Sequence, residues 1–292
     1  MRLKGLIRGL LLTTALALSL GAVSQRASAE EANQSFGVMG DAGLWNQKTI
    51  EIEASMRRTG VNRLVMPGDN LYFGAGDYPE QWGHWKGYDF SVVAIGNHNY
   101  SYEREIAFFK MPGAYYSKTF PGDVRFLVLN SDDEKTAEVQ ARWLEEQLKQ
   151  KSALTFLVWH HSPYTLTSSH GWREKEAFQT RMRDIIHRHQ NEITALLLGH
   201  DHIGAFYCVD RVPLIITGAS WETREPETMN YVAEDKTQVK AQWVYPRQTA
   251  LWGHLEIRAA QKEAKLSFIR ASDDKELSTV SLGEGAKTPA CK

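Results

Sequence analysis

Five short apolar runs, each followed at once by a cluster of polar residues, constrain the fold of this chain more than any other feature. The runs lie at residues 36–39, 61–66, 90–95, 155–158 and 194–198. Runs of this length predict buried β-strands, and strands that alternate with helices predict an α/β fold. Binding sites in such folds lie outside the carboxyl ends of the strands. We therefore expect the five clusters to lie close together.

The five clusters carry oxygen and nitrogen donors, a mixed set that suits two transition-metal ions. The candidate metal ligands are Asp41, Asp69, Tyr72, Asn97, His161, His200 and His202. A carboxylate can bridge two cations and hold them roughly 3.5 to 4 Å apart, as in two-metal hydrolases. Asp69 is the candidate bridge, and a strand and a glycine turn deliver it together with Tyr72, so that both can be ligands of one metal ion.

Each candidate also has a purely structural interpretation. Asp41 and Asp69 follow glycine, so each could be a turn residue or a helix N-cap. Asn97 could likewise belong to a turn, and Tyr72 could be an aromatic residue at the rim of a cleft. What favours a metal site is the joint pattern of seven metal-competent residues at five strand ends.

Two pairs of neighbouring histidines supply candidate ligands, and in one of them the ligand is ambiguous. His200 and His202 are two residues apart, so their imidazoles point to the same side wherever the backbone stays extended. His160 and His161 are adjacent, and only one of two adjacent strand residues usually faces a given side. The residues alone leave open which of these two faces the site.

The ordered motifs resemble those of the calcineurin-like metallophosphoesterases. They are Gly40-Asp41-Ala42-Gly43, Gly68-Asp69-Asn70-Leu71-Tyr72, Gly96-Asn97-His98, Val158-Trp159-His160-His161 and Gly199-His200-Asp201-His202. The motif variants with Gly43 and Tyr72 resemble those of the purple acid phosphatase branch, especially its small tartrate-resistant type. The resemblance covers most of residues 30–292 and implies a four-layer αββα sandwich, in which two sheets lie between layers of helices.

The resemblance also implies how the ligands divide between two metal ions. Around a ferric ion it places Asp41, Asp69, Tyr72 and His202. Around a divalent iron, zinc or manganese ion it places Asp69, Asn97, His161 and His200. It therefore favours His161 over His160 as the ligand.

Two further histidines match catalytic positions of the family. His98 corresponds to the histidine that faces the substrate phosphate, and His170 corresponds to a second active-site histidine of the small enzymes. Either could contact the phosphate or protonate the leaving group. His170 could also be an exposed loop residue. Position 99 is Asn where the family usually has an acid, and a neutral amide polarises an imidazole less than a carboxylate does.

The N-terminal segment predicts a bacterial secretory signal peptide at residues 1–29. Basic residues precede an apolar run at 10–23, and Ala27-Ser28-Ala29 supplies small residues at a cleavage site. An uncleaved membrane anchor is the alternative, but the run is shorter than the roughly 20 residues that a spanning helix needs. We therefore expect a periplasmic or secreted protein with no stable membrane anchor after cleavage.

The remaining chain, residues 30–292, predicts a single metallophosphoesterase domain, because it contains no repeat, low-complexity tract or linker. Removal of residues 1–29 lowers the formal net charge from −1 to −5, since it removes four basic residues and no acid. Net charge thus gives no reason to expect a nucleic acid partner. Cys208 and Cys291 could form a disulfide in an oxidising compartment or remain independent thiols.

Together these observations predict an exported binuclear acid phosphatase that hydrolyses phosphate monoesters, with two cations that activate a water molecule for attack on phosphorus. One alternative is a phosphodiesterase acting on nucleotides, phospholipid headgroups or envelope polymers. Another, from a different class, is a non-catalytic envelope binding protein that keeps the fold.

Overall fold

The computed structural model describes residues 33–74, 76–167, 174–218, 220, 230–245, 249–283 and 291. The predicted signal peptide, its cleavage site after Ala29, and His170 lie outside these residues. Across the described ranges, none of the helices combines the length and the apolar character needed to cross a membrane.

The described residues form strands and helices that alternate in the first two thirds of the chain. In chain order the strands are β1 Asn33–Val38, β2 Arg63–Pro67, β3 Asp89–Ala94, β4 Tyr116–Phe120, β5 Val124–Val128, β6 Leu154–Val158, β7 Ala195–Leu198, β8 Gly204–Val209, β9 Val212–Thr217, β10 Asn230–Val232, β11 Gln238–Val244, β12 Leu251–Arg258, β13 Glu263–Arg270 and β14 Lys275–Gly283. The α-helices are α1 Gln47–Thr59, α2 Tyr78–Trp82, α3 Tyr102–Phe109, α4 Ala137–Leu148 and α5 Glu176–Arg188.

The strands form two mixed sheets. The first has the order β14-β13-β12-β1-β2-β3, and the second has the order β10-β11-β8-β9-β7-β6-β5-β4. Strands β1, β2 and β3 are parallel, as are β5, β6, β7 and β9. Strand β1, helix α1 and strand β2 form a βαβ unit, in which α1 begins with the Asn46 capping box and ends at Gly60.

The two sheets pack face to face, and helices cover their outer faces. Phe36 of β1 contacts Phe126 of β5 with ring centroids 5.5 Å apart. On the opposite face of β1, a Cβ atom at Gly37 would lie 2.6 Å from Met56 Cε of α1. Helices α4 and α5 pack through an apolar cluster against the outer face of the second sheet. The predicted α/β fold with an αββα sandwich is therefore confirmed.

Several elements were not predicted from the sequence. Residues 71–89, which are rich in Gly, Trp and Tyr, contain the short helix α2, which Asp77 caps. Strand β4 lies at a sheet edge. Its burial alternates incompletely, and an edge strand of this kind has only a weak apolar pattern.

A disulfide joins Cys208 to Cys291, with their Cα atoms 5.4 Å apart. Cys208 lies in β8 of the second sheet, whereas Cys291 follows β14, the last strand of the first sheet. The bond therefore links the C-terminal segment, which follows the first sheet, to the second sheet. The sequence leaves open whether the two cysteines are bonded, and the structure shows that they are.

We expect the double variant Cys208→Ser/Cys291→Ser to lower the free energy of unfolding by about 4 kcal/mol, because the crosslink restricts a long loop of the unfolded chain. The loop is long because the two cysteines are 83 residues apart. Urea unfolding without reductant measures this difference. Dithiothreitol should destabilise the wild type and leave the double variant unaffected, and equal unfolding free energies for the two proteins would contradict the prediction.

Candidate metal centre

The carboxyl ends of the parallel strands of both sheets meet at one edge of the sandwich, and backbone hydrogen bonds hold them there. Asp41 N donates to Gly68 O at 3.0 Å, which joins the loops after β1 and β2. Gly40 N donates to Thr217 O at 2.9 Å, which joins the first sheet to β9 of the second. The polar clusters therefore converge, as expected from the parallel strands.

Two glycines permit the close approach of side chains at this edge. A Cβ atom at Gly96 would lie 2.1 Å from Asp69 Oδ1, and one at Gly68 would lie 2.6 Å from His160 Nδ1. Gly68 also has a φ of +96°, which a residue with a side chain rarely adopts. These motif glycines are thus required by the positions of Asp69 and His160.

Four of the predicted ligands have left-handed backbone conformations. Their φ angles are 58° for Asp41, 55° for Asp69, 70° for His200 and 52° for His202. Such conformations cost on the order of 1 kcal/mol each in non-glycine residues, and they cluster at functional sites. The local strain indicates that the strand-end loops are shaped to aim these side chains rather than to maximise stability.

The first group of converging side chains contains Asp41, Asp69 and His202, whose ligand atoms all lie within 4.8 Å of one another. All three side chains are buried. Tyr72 OH lies among them, 3.0 Å from Asp69 Oδ2, 3.3 Å from Asp41 Oδ1 and 3.2 Å from His202 Nε2. The structure thus brings together the four residues predicted to surround one ion.

Tyr72 is buried beside two carboxylates. Burial, together with the negative charges of Asp41 and Asp69, raises the pKa of Tyr72 well above its ordinary value. A cation placed among the same oxygens would oppose the charge of the two carboxylates and favour the phenolate. The phenol therefore has the surroundings of a ligand whose ionisation depends on a metal ion.

The second group contains His161, His200 and Glu174, again with ligand atoms within 4.8 Å of one another. The imidazole rings of His161 and His200 are 4.2 Å apart, and His200 Nε2 lies 3.1 Å from Glu174 Oε2. The pairing of the two histidines was predicted, whereas Glu174 was not. No strand end or motif spacing in the sequence indicates Glu174.

Asn97 and His98 lie in the turn after β3, beside the first group. Asn97 Oδ1 is buried, and no donor within the described ranges hydrogen-bonds to it. His98 N donates to Asp69 Oδ1 at 2.9 Å, and the exposed His98 ring lies 4.8 Å from the Tyr72 ring. The side chain of Asn99 donates to Gly96 O at 2.6 Å, so it supports the turn itself.

His160 was set aside in favour of His161, yet it lies under the centre of the site. Its Nε2 is 3.2 Å from Asp69 Oδ1 and 3.1 Å from His200 Nδ1, and its Nδ1 is 2.9 Å from Pro67 O. Both members of the His-His pair therefore contact the site, His161 beside His200 and His160 beneath Asp69. Both residues lie beyond the end of β6 at Val158, where the regular alternation of a strand no longer holds.

The contact between His160 and Asp69 affects the ionisation of both groups in the metal-free protein. Burial alone would raise the pKa of Asp69, but the charge and hydrogen bonds of His160 and the His98 N–H lower it below its ordinary value. Burial likewise opposes the charge of His160, while Asp69 raises the pKa of His160 to about 9. Asp69 is thus ionised, as a ligand must be.

Ser131 is another contact that was not predicted. Its Oγ lies 2.8 Å from His161 Nδ1 and accepts a hydrogen bond from His161 N at 3.1 Å. A partner of this kind fixes the orientation of a ligating imidazole. The sequence does contain a signal, because Asn130-Ser131-Asp132 is a further polar cluster after an apolar strand, β5.

The two groups fit two metal ions. Carboxylate, phenol, imidazole and amide donors together suit iron, zinc or manganese. The first group contains two buried carboxylates and a phenol. Asn97 Oδ1, a buried hydrogen-bond acceptor, lies beside them. Buried polar atoms normally find partners, so an acceptor of this kind suits a cation. We conclude that the described residues can hold a dimetal centre.

A buried carboxyl group supports the loop that carries Asp69. Glu105 of α3 is fully buried, and its Oε1 accepts a hydrogen bond from Asn70 Nδ2 at 2.6 Å. Its Oε2 accepts from Tyr78 OH at 3.2 Å. Burial, only partly offset by these two hydrogen bonds, raises the pKa of Glu105 to about 7.

No protein-family model and no curated protein sequence matches this chain. Among solved structures it is similar to GAP50, the anchor in the inner membrane complex of Plasmodium, with a TM-score of 0.64, 15% identity, and coverage of 88% of this chain and 90% of GAP50. It is similar to purple acid phosphatase PPD1 from yellow lupin (Lupinus luteus) seeds, with a TM-score of 0.63 and 14% identity, over 86% of this chain and 54% of that protein. It is also similar to a dimetal phosphatase from Danio rerio, with a TM-score of 0.53 and 12% identity, over 86% of this chain and 99% of that protein. At these identities the comparisons show the fold alone, which this chain shares with these proteins.

Because the pKa of Glu105 rises from 4.5 in the unfolded chain to about 7 in the folded protein, folding favours its protonated form. The resulting stability is fully present below pH 4.5 and is lost as the pH rises through 7. Between pH 5 and pH 8 the free energy of unfolding of the metal-free wild type should therefore fall by roughly 2 kcal/mol more than that of Glu105→Gln.

Urea unfolding of the chelator-treated proteins at both pH values measures this difference. Glu263→Gln, which removes an exposed carboxyl group at the start of β13, should behave like the wild type. The prediction is wrong if Glu105→Gln and the wild type lose the same stability over this pH range.

Proposed function

We propose that this protein is a metal-dependent phosphoesterase, and more specifically an acid phosphatase that hydrolyses phosphate monoesters. The observation that carries the proposal is the convergence of two metal-competent groups, Asp41/Asp69/His202 and His161/Glu174/His200, at one edge of a metallophosphoesterase fold. In α/β sheets this edge is where ligands bind. A fold alone does not define a function, so the ligand set is the stronger support.

Two cations, when bound, supply positive charge for the phosphate oxygens and lower the pKa of a coordinated water. The chain contributes the positions of the surrounding groups. Asp69 Oδ2 accepts from Tyr72 OH of the first group, and Asp69 Oδ1 lies beside His160, whose Nε2 is 3.1 Å from His200 Nδ1 of the second group. It is therefore the group best placed to be shared by two ions.

His98 is suited to handle a proton at the mouth of the site. Its backbone N–H is fixed on Asp69, its ring packs near Tyr72, and its side chain is exposed. An imidazole held in this way can contact a phosphate or donate a proton to the leaving oxygen. The same role for His170 stays a prediction, because that residue is outside the described ranges.

We propose iron in the site that contains Tyr72, with Fe(III) there and divalent iron, zinc or manganese beside His161 and His200. Support comes from the donor sets, because a phenol and two carboxylates form the harder site and the imidazoles form the softer one. A phenolate on Fe(III) gives a purple charge-transfer band, so the visible spectrum of iron-loaded protein tests this assignment.

Export is part of the proposal, with the mature protein in the periplasm or secreted. The basic, apolar and small-residue pattern of residues 1–29 supports it, and so does the disulfide between Cys208 and Cys291. Disulfides of this kind persist in oxidising compartments and are rare in the cytosol.

A non-catalytic binding protein is the second candidate function. The similarity to GAP50, which is described as an anchor, favours it, because that protein has the same fold over nearly its whole length. The converging carboxylate and histidine ligands of this chain favour the enzyme instead. Metal-dependent turnover by purified protein would exclude the non-catalytic candidate.

We expect Asp69→Asn to lower both turnover of p-nitrophenyl phosphate and bound metal, with a loss of activity of at least about 100-fold, because the shared carboxylate is removed. Asn is preferred to Ala, since residue 69 has a φ of 55° and Asn tolerates that conformation. Asp184→Asn, on the exposed face of α5, is the matched control and should retain wild-type values. Full activity of Asp69→Asn would refute the proposed centre.

Substrate class is tested with a pair of chromogenic esters. We expect a higher kcat/KM for p-nitrophenyl phosphate than for bis-p-nitrophenyl phosphate, because two cations compensate the dianion of a monoester better than they do a diester monoanion. The rates should be compared on one metal-loaded preparation. A preference for the diester would support the phosphodiesterase alternative and remove the monoesterase assignment.

A further inference from the structure

Glu174 lies beside the second group of ligands although it belongs to none of the five strand ends. It comes two residues before helix α5, and its Oε2 is 3.1 Å from His200 Nε2. With His161 it completes the set whose ligand atoms lie within 4.8 Å of one another. Its side chain is 35% exposed, so the carboxylate reaches the site from the solvent side.

The backbone around Glu174 is held in place by neighbouring contacts. Lys175 Nζ lies 2.7 Å from Asp132 Oδ1, and Asp132 Oδ2 accepts a hydrogen bond from Tyr102 OH at 2.6 Å. Ala177 N donates to Glu134 Oε1 at 3.0 Å. Glu174 therefore lies at the fixed start of a helix, and its approach to His200 is a property of the packing.

One loop positions both Glu174 and His161. Ser131 contacts His161 through the 2.8 Å bond to Nδ1, and the next residue, Asp132, binds Lys175. The loop after β5 thus sets the position of an imidazole and, through the Lys175 ion pair, that of a carboxylate. Ligands that share a support of this kind keep the mutual geometry that a metal site requires.

Charge balance gives Glu174 a chemical role. The first group has two carboxylates and a phenol for one cation. The second has two imidazoles, which are neutral ligands, and among the described residues its one carboxylate is that of Glu174. A divalent cation there would be poorly compensated without this carboxylate.

We propose that Glu174 is a carboxylate ligand of the cation held by His161 and His200. This inference rests on the proposed dimetal centre and adds a ligand to it. The carboxylate supplies the second ion with a negative charge of its own. The affinity of the second site then depends on Glu174, whereas that of the site around Asp41 and His202 does not.

The test is calorimetric titration of metal-free protein with Zn²⁺, which requires no activity. The wild type should bind two ions, and Glu174→Gln should keep one affinity while the other weakens by about tenfold or more. Glu176→Gln removes the same charge two residues away on the exposed start of α5 and should match the wild type. Unchanged affinities at both sites of Glu174→Gln would overturn the proposal.

Repeating the titrations in 0.5 M NaCl separates a ligand from a nearby charge. Salt screens the attraction between separated exposed charges, whereas it has little effect on direct coordination. The difference between Glu174→Gln and the wild type should therefore persist, and its disappearance would overturn the assignment.

The result also distinguishes this inference from the proposed function. A wild type that binds two Zn²⁺ ions and hydrolyses phosphate esters, with a Glu174→Gln variant of equal affinities, would refute only the role of Glu174. A wild type that binds no Zn²⁺ would overturn the metal centre itself and the inference with it.

Discussion

The buried carboxylate of Asp69 is the constraint on which the rest of the site depends. A carboxylate taken out of water must be compensated, and here a backbone N–H, an imidazole and a phenol surround it. Gly96 leaves room for its oxygen, and the buried pair of Asn70 and Glu105 supports the loop that carries it. The fold thus holds a charged group in a strained backbone at the point where both sheets end.

The sequence was sufficient to predict the strand ends and what they carry. Asp41, Asp69, Tyr72 and His202 meet as expected because the carboxyl ends of parallel strands lie at the same edge of a sheet. The αββα layers, in contrast, were predicted only from the resemblance of the motifs to those of a known family. Periodicity cannot show which faces of two sheets pack together, and edge strands such as β4 carry too weak a pattern to be recognised.

The residues missed by the sequence analysis reach the site through tertiary packing. Glu174 arrives from the start of a helix that Lys175 fastens to Asp132, and nothing local in the sequence records that contact. His160 was passed over because strand alternation does not apply beyond the end of β6 at Val158. Of these residues, Ser131 alone could have been found, since it follows an apolar strand as the predicted ligands do.

The fold is similar both to a protein described as an anchor and to phosphatases, so the fold alone does not separate binding from catalysis. The most direct test is to titrate chelator-treated protein with metal ions while following turnover of p-nitrophenyl phosphate. The account predicts no turnover without metal and a rise that reaches its plateau when both sites are filled. Undiminished turnover by metal-free protein, or none when two ions are bound, would contradict it.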